Sequence, residues 1–395
     1  MADQNAAILV VDDVAENRDL LIRRLRRLGF SRIEEAADGV EALAAIGQAA
    51  FDLVLLDIMM PELDGFGVLE ALRSDGRIND IPVIVISALN EIDPVVRCIE
   101  LGADDFLFKP FNPTLLRARV LATLEKKALR DLTREELRRK QVELNEARTL
   151  QLSLVPPSFA GAVAGRRLDV DALLEPAKEV GGDLVDYFPV GDGLMVLAIG
   201  DVSDKGAAAA LMMARTHSMF RALSGRPDAP ELFADPARAV SIANDGLARG
   251  NAGCMFVTFV LASVDVAAGR LAYVRAGHVP PYLQGADGGV ERLGGPGGPP
   301  LGVVEGFDYQ AAQVDLNEGD RLLVVTDGFT EAQNAAGELF GEDRVGAFFA
   351  DGAEVGGAGG QVLTRLATQV RAFEAGLPAF DDMAAILLTF GAREV

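Results

Sequence analysis

Apolar and polar positions follow three different rhythms along the 395-residue chain. Up to about Thr123, uninterrupted apolar runs at Ile8–Val11, Leu53–Leu56, Val83–Ile86 and Phe106–Phe108 alternate with amphipathic stretches such as Arg18–Leu28 and Gly39–Ile46. Runs that are apolar on both faces predict buried parallel strands. Their alternation with helical patterns predicts a five-stranded, doubly wound α/β sheet. From Leu124 to Leu154 good helix formers take over, with no glycine or proline before Pro156-Pro157, which predicts one long helix. Glu135/Arg139 and Glu136/Lys140 stand at favourable i,i+4 spacing. Leu137, Leu144 and Gln151 share one heptad position, a coiled-coil signal that Arg130 breaks upstream. After Pro156 the rhythm shortens. Val196–Ile199, Val257–Val264, Arg270–Val274, Arg321–Val325 and Ala384–Phe390 read as strands, Leu211–Leu223 and Gln361–Phe373 as two helical stretches, and Gly294–Pro300 as a tight loop. That texture is α+β with an antiparallel core. The expected domains are 1–123, a helical linker 124–155, and 156–395.

Composition narrows the class. Half of the residues are hydrophobic and the formal net charge is −22. Such a field repels nucleic acid and anionic membranes and suits divalent cations where carboxylates converge. No uncharged apolar run reaches membrane-spanning length. The start, "MADQNAAILVVDD", lacks the basic n-region of a signal peptide, so a cytoplasmic location is expected. Cys98 and Cys254 are the only cysteines and form no CxxC pair. Asp104 and Val260 stand where a cysteine-based phosphatase wants its arginine.

In a parallel sheet all strands present their carboxyl ends at one edge, where ligands bind. Here those ends carry Asp12-Asp13, Asp57, Ser87 and Lys109-Pro110. Three close carboxylates repel one another and call for a hard cation such as Mg2+. Asp57 then has the makings of a nucleophile toward a phosphoryl donor, with Lys109 and Ser87 to hold the phosphoryl oxygens. "VVDD", "LLDIMMPELDGFGVLEALR", "VIVISAL" and "LGADDFLFKPF" together resemble the response-regulator receiver domain over about Ile8 to Thr123. The resemblance implies Asp57 as phosphoacceptor and Asp13, Asp57 and the Met59 carbonyl as Mg2+ ligands. It also implies Asp12 acting largely through water, Ser87 and Phe106 as switch residues, a cis Lys109–Pro110 bond, and a sensor histidine kinase or phosphotransfer protein as donor. A receiver used only for docking is the alternative.

Further along, aspartates recur beside glycines at the edges of apolar segments: Asp183 in "EVGGDLVDYF", Asp201 in "LAIGDVSDKG", Asp327 in "LLVVTDGFTEA" and Asp381-Asp382 in "FDDMAAILLTF". Any one of these pairs is ordinary turn chemistry. Four of them at strand ends fit a site for two metal ions, which polarise a phosphate and make hydroxide near neutral pH. With "GDVSDKGAAAALMMA", "FVTFVLASVDVAAGRLAYVRAGHVPPYL" and "GDRLLVVTDGFTEAQNAAGELFGEDRV", the chain from about Glu146 to Phe390 resembles the metal-dependent PPM (PP2C-like) phosphatases. The bacterial SpoIIE-type branch, which acts on anti-sigma-factor antagonists, is the nearest.

That resemblance implies a β-sandwich flanked by helices and two Mn2+ or Mg2+ ions. Asp201 would bridge them, Asp183 and the Val202 carbonyl would complete one site, and Asp327 and Asp381 the other. Water would attack phosphoserine or phosphothreonine directly, with Asp201 essential to catalysis. Asp381 is chosen over Asp382 by aligning "DDM". Ala384 stands where a threonine is usual, and Leu184-Val185 where aromatics are commoner. "GGDL" is similar to the start of the diguanylate cyclase signature, but Leu184-Val185 stand where Glu-Phe belongs. His217 and His278 are read as structural.

The resulting expectation is a receiver-controlled protein serine/threonine phosphatase, with an antagonist phosphoprotein as substrate and a homodimer formed through the linker helix. An adaptor that binds partners through a catalytically weak phosphatase-like domain is the alternative. A DNA-binding output is disfavoured by the acidic balance and by the lack of a basic recognition helix.

Overall fold

The computed structural model describes residues 5–87, 92–110, 112–351 and 359–393. The chain divides into two compact units, Met1–Lys140 and Gln141–Val395.

In the first unit strands β1 (Ile8–Val11), β2 (Ile33–Ala36), β3 (Leu53–Asp57), β4 (Val83–Ser87) and β5 (Asp105–Phe108) alternate with helices α1 (Ala15–Arg27), α2 (Gly39–Gln48), α3 (Gly65–Ser74) and α4 (Ile92–Glu100). Helix α5 (Pro113–Leu152) follows. The sheet is parallel throughout, in the order β2-β1-β3-β4-β5. Successive residues of each central strand face opposite layers, and both layers are buried. Leu9, Val11, Val54 and Leu56 pack with Ala42, Ile46, Val68 and Leu72. Ile8, Val10, Leu53 and Leu55 pack with Leu21, Leu25, Leu116 and Val120 on the other side. Each such side chain contributes about 1.5–3 kcal/mol by leaving water. Strand β2 escapes the apolar pattern because it is an edge strand, with Glu34 and Glu35 exposed.

The long helix predicted from Leu124 starts at Pro113. A proline at the first helical turn presets φ, and nothing before Pro156 breaks the helix, so the last helix of the first unit runs on without interruption. Beyond Leu124 its apolar side chains Leu129, Leu132 and Leu137 are exposed.

The second unit stacks two antiparallel-rich sheets between helices. One sheet contains β8 (Leu184–Val190), β9 (Leu194–Val202), β10 (Val257–Asp265), β11 (Arg270–Ala276), β14 (Gly297–Gly298) and β15 (Ala312–Asp315). The other contains β6 (Phe159–Val163), β7 (Arg166–Glu175), β12 (Tyr282–Gln284), β13 (Val290–Arg292), β16 (Arg321–Val325) and β17 (Met383–Arg393). Val185, Ile199, Val260, Val324, Ile386 and Leu388 interdigitate between them. Helices α6 (Ala207–Ser224), α7 (Ala229–Ala234) and α8 (Pro236–Ala248) cover the outer face of the first sheet, burying Phe188, Phe220, Phe233 and Phe259. Helices α9 (Asp327–Thr330), α10 (Gly341–Asp351) and α11 (Gly359–Glu374) cover the second, around Phe329, Phe349, Leu366 and Leu387.

Two sequence expectations change. Gly294–Pro300 is not wholly loop: Gly297 and Gly298, without side chains to obstruct, pair with Arg275 and Ala276. Helices also exceed the two expected stretches, because the alanine-rich α8 and the glycine-bounded α10 carry short, weakly apolar stripes. Among the described residues no helix is long and apolar enough to cross a membrane.

Candidate functional site

The carboxyl edge of the first sheet gathers the expected groups. Oxygens of Asp12, Asp13 and Asp57 lie within 4.8 Å of one another, with Asp12 and Asp57 buried and Asp13 exposed. The Lys109 Nζ donates to Asp12 Oδ2 at 2.7 Å and to Asp57 Oδ2 at 2.6 Å. The backbone N–H of Ile58 fixes Asp57 Oδ1 at 2.8 Å. Burial raises the Asp57 carboxyl, opposed by Lys109 and assisted by the Asp12 charge. For Lys109, burial works against the ammonium, but Asp12 and Asp57 together outweigh it and raise the group. Ser87 closes β4, buried; Phe106, half-buried, meets Phe108 edge-on at 5.2 Å; Met59 is exposed; and the Lys109–Pro110 bond is cis.

In the second unit the two sheets each bring part of an acidic cluster. The β8–β9 register pairs Leu184 with Gly200, so Asp183 and Asp201 lie at the same end of one sheet, with Val202 next to Asp201. In the other sheet Val325 pairs with Ala385, which sets Asp327, at the start of α9, beside the Asp381-Asp382 entry to β17. Thr326 bridges the two sheets. Its Oγ1 donates to Asp183 Oδ2 at 2.7 Å and accepts from the Ala384 N–H at 2.9 Å. Burial, then the charges of Asp201 and Asp382, raise Asp183 well above its ordinary range. Burial and Asp327 push Asp201 up to about 7, and burial and Glu331 push Asp327 up to about 6. No three of these carboxylates close to within 4.8 Å as those of the first unit do.

A divalent cation fits this donor set. Asp183 Oδ1 is fully buried and has no hydrogen-bond partner, while its strongest charged neighbour is another carboxylate, Asp201. An orphaned buried oxygen facing like charge calls for a hard cation or a proton. This determines how stability responds to pH. Carboxyls raised above their ordinary 3.8 bind protons in the folded chain that the unfolded chain has released. Their contribution is complete below the unfolded value and lost as pH rises through about 6 for Asp327 and about 7 for Asp201. In chelator, the melting temperature of the second unit is therefore expected to fall between about pH 5 and 8. Added Mn2+ should restore it by an increment that grows with pH. Scanning calorimetry at several pH values checks this, and a flat chelator profile contradicts it.

Asp381 and Asp382 differ sharply. Asp382 is buried and spends both oxygens on backbone amides, those of Ala177 and Gly182, each at 2.7 Å. Asp381 Oδ1 accepts the Asp382 N–H at 2.9 Å, and Oδ2 faces Lys205. Gly328 lets α9 press on this turn: a Cβ there would fall inside the van der Waals envelope of the Asp382 carbonyl oxygen. Gly328→Ala is expected to destabilise the second unit by roughly 1–3 kcal/mol, as overpacking does. Gly346→Ala, whose Cβ meets only Tyr282 at 3.6 Å, should be neutral or stabilising in helix α10. Urea midpoints of the two variants separate these outcomes.

His278 is buried with Nδ1 at 3.0 Å from the Val279 carbonyl, and burial holds it neutral, down to about 4. His217 stands 3.2 Å from Asp186, a buried carboxylate clasped by the Arg221 guanidinium under α6.

A family model described as Stage II sporulation protein E (SpoIIE) matches residues 191–391, just over half of the chain. The chain belongs to the SpoIIE family. A second model, the response regulator receiver domain, matches residues 8–121 ahead of the SpoIIE domain. The SiaA-PP2C domain of Pseudomonas aeruginosa superposes with a TM-score of 0.54 over 65% of this chain and 98% of that one, at 20% identity, which establishes a PP2C-type fold. Protein IcfG of Synechocystis is 28% identical over 226 residues, 52% of this chain and 35% of its own length. The probable transcriptional regulator ycf27 of Guillardia theta is 44% identical over 119 residues, 30% of this chain and 45% of that protein. The chain thus spans less than half the length of these relatives. Within the SpoIIE domain, sequence reasoning overlooked Thr326 and the anchoring role of Asp382. It also missed Gln151, whose side chain holds both the N–H and the carbonyl of Gly181 at 3.0 Å. Gln151 did carry a signal, as a polar residue following Leu137 and Leu144 at one heptad position.

Proposed function

We propose that this SpoIIE-family chain is a response regulator whose output is a metal-dependent protein serine/threonine phosphatase. Its substrate is a phosphoserine anti-sigma-factor antagonist, and its rate is set by phosphorylation of Asp57. The observation that carries the reading is the convergence of carboxylates from both sheets on the orphaned Asp183 oxygen. Asp201 would be shared between two Mn2+ or Mg2+ ions, Asp183 and the Val202 carbonyl would hold one, and Asp327 and Asp381 would hold the other. Asp381 is favoured as the ligand because both Asp382 oxygens are engaged in anchoring backbone amides. When bound, the ions supply Lewis acidity toward a phosphoryl group and a lowered pKa for water. The chain supplies the rigid frame: Thr326 orients Asp183, Asp382 ties the Ala177–Gly182 turn to β17, and Gln151 pins Gly181.

In the receiver, Asp13, Asp57 and the Met59 carbonyl would hold Mg2+, with Asp12 acting largely through water. Asp57 Oδ2 bonds to phosphorus as the donor's leaving group departs, and Lys109 and Ser87 take the phosphoryl oxygens. Ser87 and Phe106 report the change. The donor is a sensor histidine kinase or phosphotransfer protein, the location is cytoplasmic, and the exposed leucines of α5 support a homodimer through that helix. The test is hydrolysis of a phosphoserine antagonist protein by the full chain in Mn2+, with and without beryllofluoride. Metal-dependent release that changes severalfold with beryllofluoride is expected. Absence of release with metal bound favours the adaptor.

A further inference from the structure

Lys205 lies in the loop between β9 and α6, next to the acidic cluster. Its ammonium stands 2.9 Å from Asp381 Oδ2, donates to the Phe380 carbonyl at 2.8 Å, and lies 5.3 Å from the centre of the Phe380 ring. A half-exposed lysine is thus held by three groups of one neighbouring turn. The loop is shaped to deliver it. Asp204 and Gly206 on either side both have left-handed φ, +87° and +83°, and Asp204 Oδ1 accepts the Lys205 N–H at 2.9 Å. A non-glycine residue held at such φ is strained by on the order of 1–3 kcal/mol, so its surroundings must impose it.

The decisive detail is at Asp381. Its Oδ1 accepts the Asp382 N–H and its Oδ2 already faces the Lys205 ammonium, so a cation arriving at Oδ2 meets a positive charge in place. An ammonium and a divalent ion cannot share one carboxylate oxygen without strong repulsion at such range. We propose that Lys205 and the metal ion exclude one another at Asp381. Lys205 is the counter-cation of Asp381, and an arriving divalent ion displaces it and frees its ammonium. This rests on the reading of Asp381 as a metal ligand. It gives the chain a threshold, because the second ion binds only where its concentration overcomes a tethered competitor.

The test uses the full chain with its receiver ligands removed (Asp13→Asn with Asp57→Asn), so that only the SpoIIE domain binds metal. Mn2+ is titrated by calorimetry into this background and into further variants Lys205→Gln, Lys205→Arg and Asp201→Asn. Lys205→Gln is expected to tighten the weaker Mn2+ step roughly two- to fivefold, the range an ion pair partly in solvent commands. Lys205→Arg should stay near the background. In chelator Lys205→Gln should melt lower than the background, and in saturating Mn2+ the two should melt alike. Unchanged or weaker binding in Lys205→Gln, with binding lost in Asp201→Asn, overturns the exclusion and leaves the ligand reading standing. If Asp201→Asn titrates like the background, the ligand reading fails and the proposal fails with it.

Discussion

Replacing Asp201 by asparagine is expected to lower phosphoserine hydrolysis on the order of a thousandfold or more, with the far-ultraviolet circular dichroism spectrum unchanged. Asp201 sits within β9, paired with Thr258 of β10 and next to Gly200, which pairs with Leu184 of β8, so the backbone does not depend on its charge. Its carboxylate feels the charges of Asp327, Asp381 and Asp382 and in turn bears on Asp183. Asparagine keeps the shape and removes the charge that holds divalent ions together. The same change relieves repulsion in the metal-free chain. Asp201→Asn should therefore melt higher than wild type in chelator above about pH 7, while gaining little from Mn2+. Hydrolysis within tenfold of wild type would show that the ions are held elsewhere.

Asp57→Ala is expected to abolish phosphorylation of the first unit. With acetyl phosphate and Mg2+, wild type should acquire one acid-stable, base-labile phosphate and the variant none, as intact-mass measurement would record. The geometry makes this selective. Asp57 is fixed through both oxygens, by Ile58 N–H and by Lys109. After its loss Lys109 still has Asp12 at 2.7 Å, so the ammonium stays paired and the edge of the sheet should hold its shape. Equal labelling of the variant would move the acceptor to another residue, and an unlabelled wild type would leave the receiver as a docking module.

The receiver was largely legible because a parallel sheet buries both faces of its central strands, writes them as solid apolar runs and collects their carboxyl ends at one edge. What failed there was β2, an edge strand whose glutamates hide it, and the start of α5, since a helix that changes from packed to exposed has no single period. In the SpoIIE domain the aspartates were visible as residues but their division of labour was not. Asp381 and Asp382 are adjacent and chemically identical. Only the positions of the Ala177 and Gly182 amides, which come from a distant turn, separate an anchor from a cation-facing carboxylate. Thr326 was hidden for the same reason: a threonine before "DG" is unremarkable until β16 and β8 meet. Lys205 read as a loop residue because its partner stands 176 positions later, 381 minus 205.

The bond from the Gly182 amide to Asp382 closes a loop of 200 residues. Contacts of such separation form late, after most of the intervening chain has found its place. The acidic cluster therefore cannot act as a seed for folding in the manner of a small metal-organised module. Cation binding at this cluster, as proposed, would report that β17 has docked. During synthesis the cluster would be completed only once β17 has been made, and a product truncated before β17 would lack it.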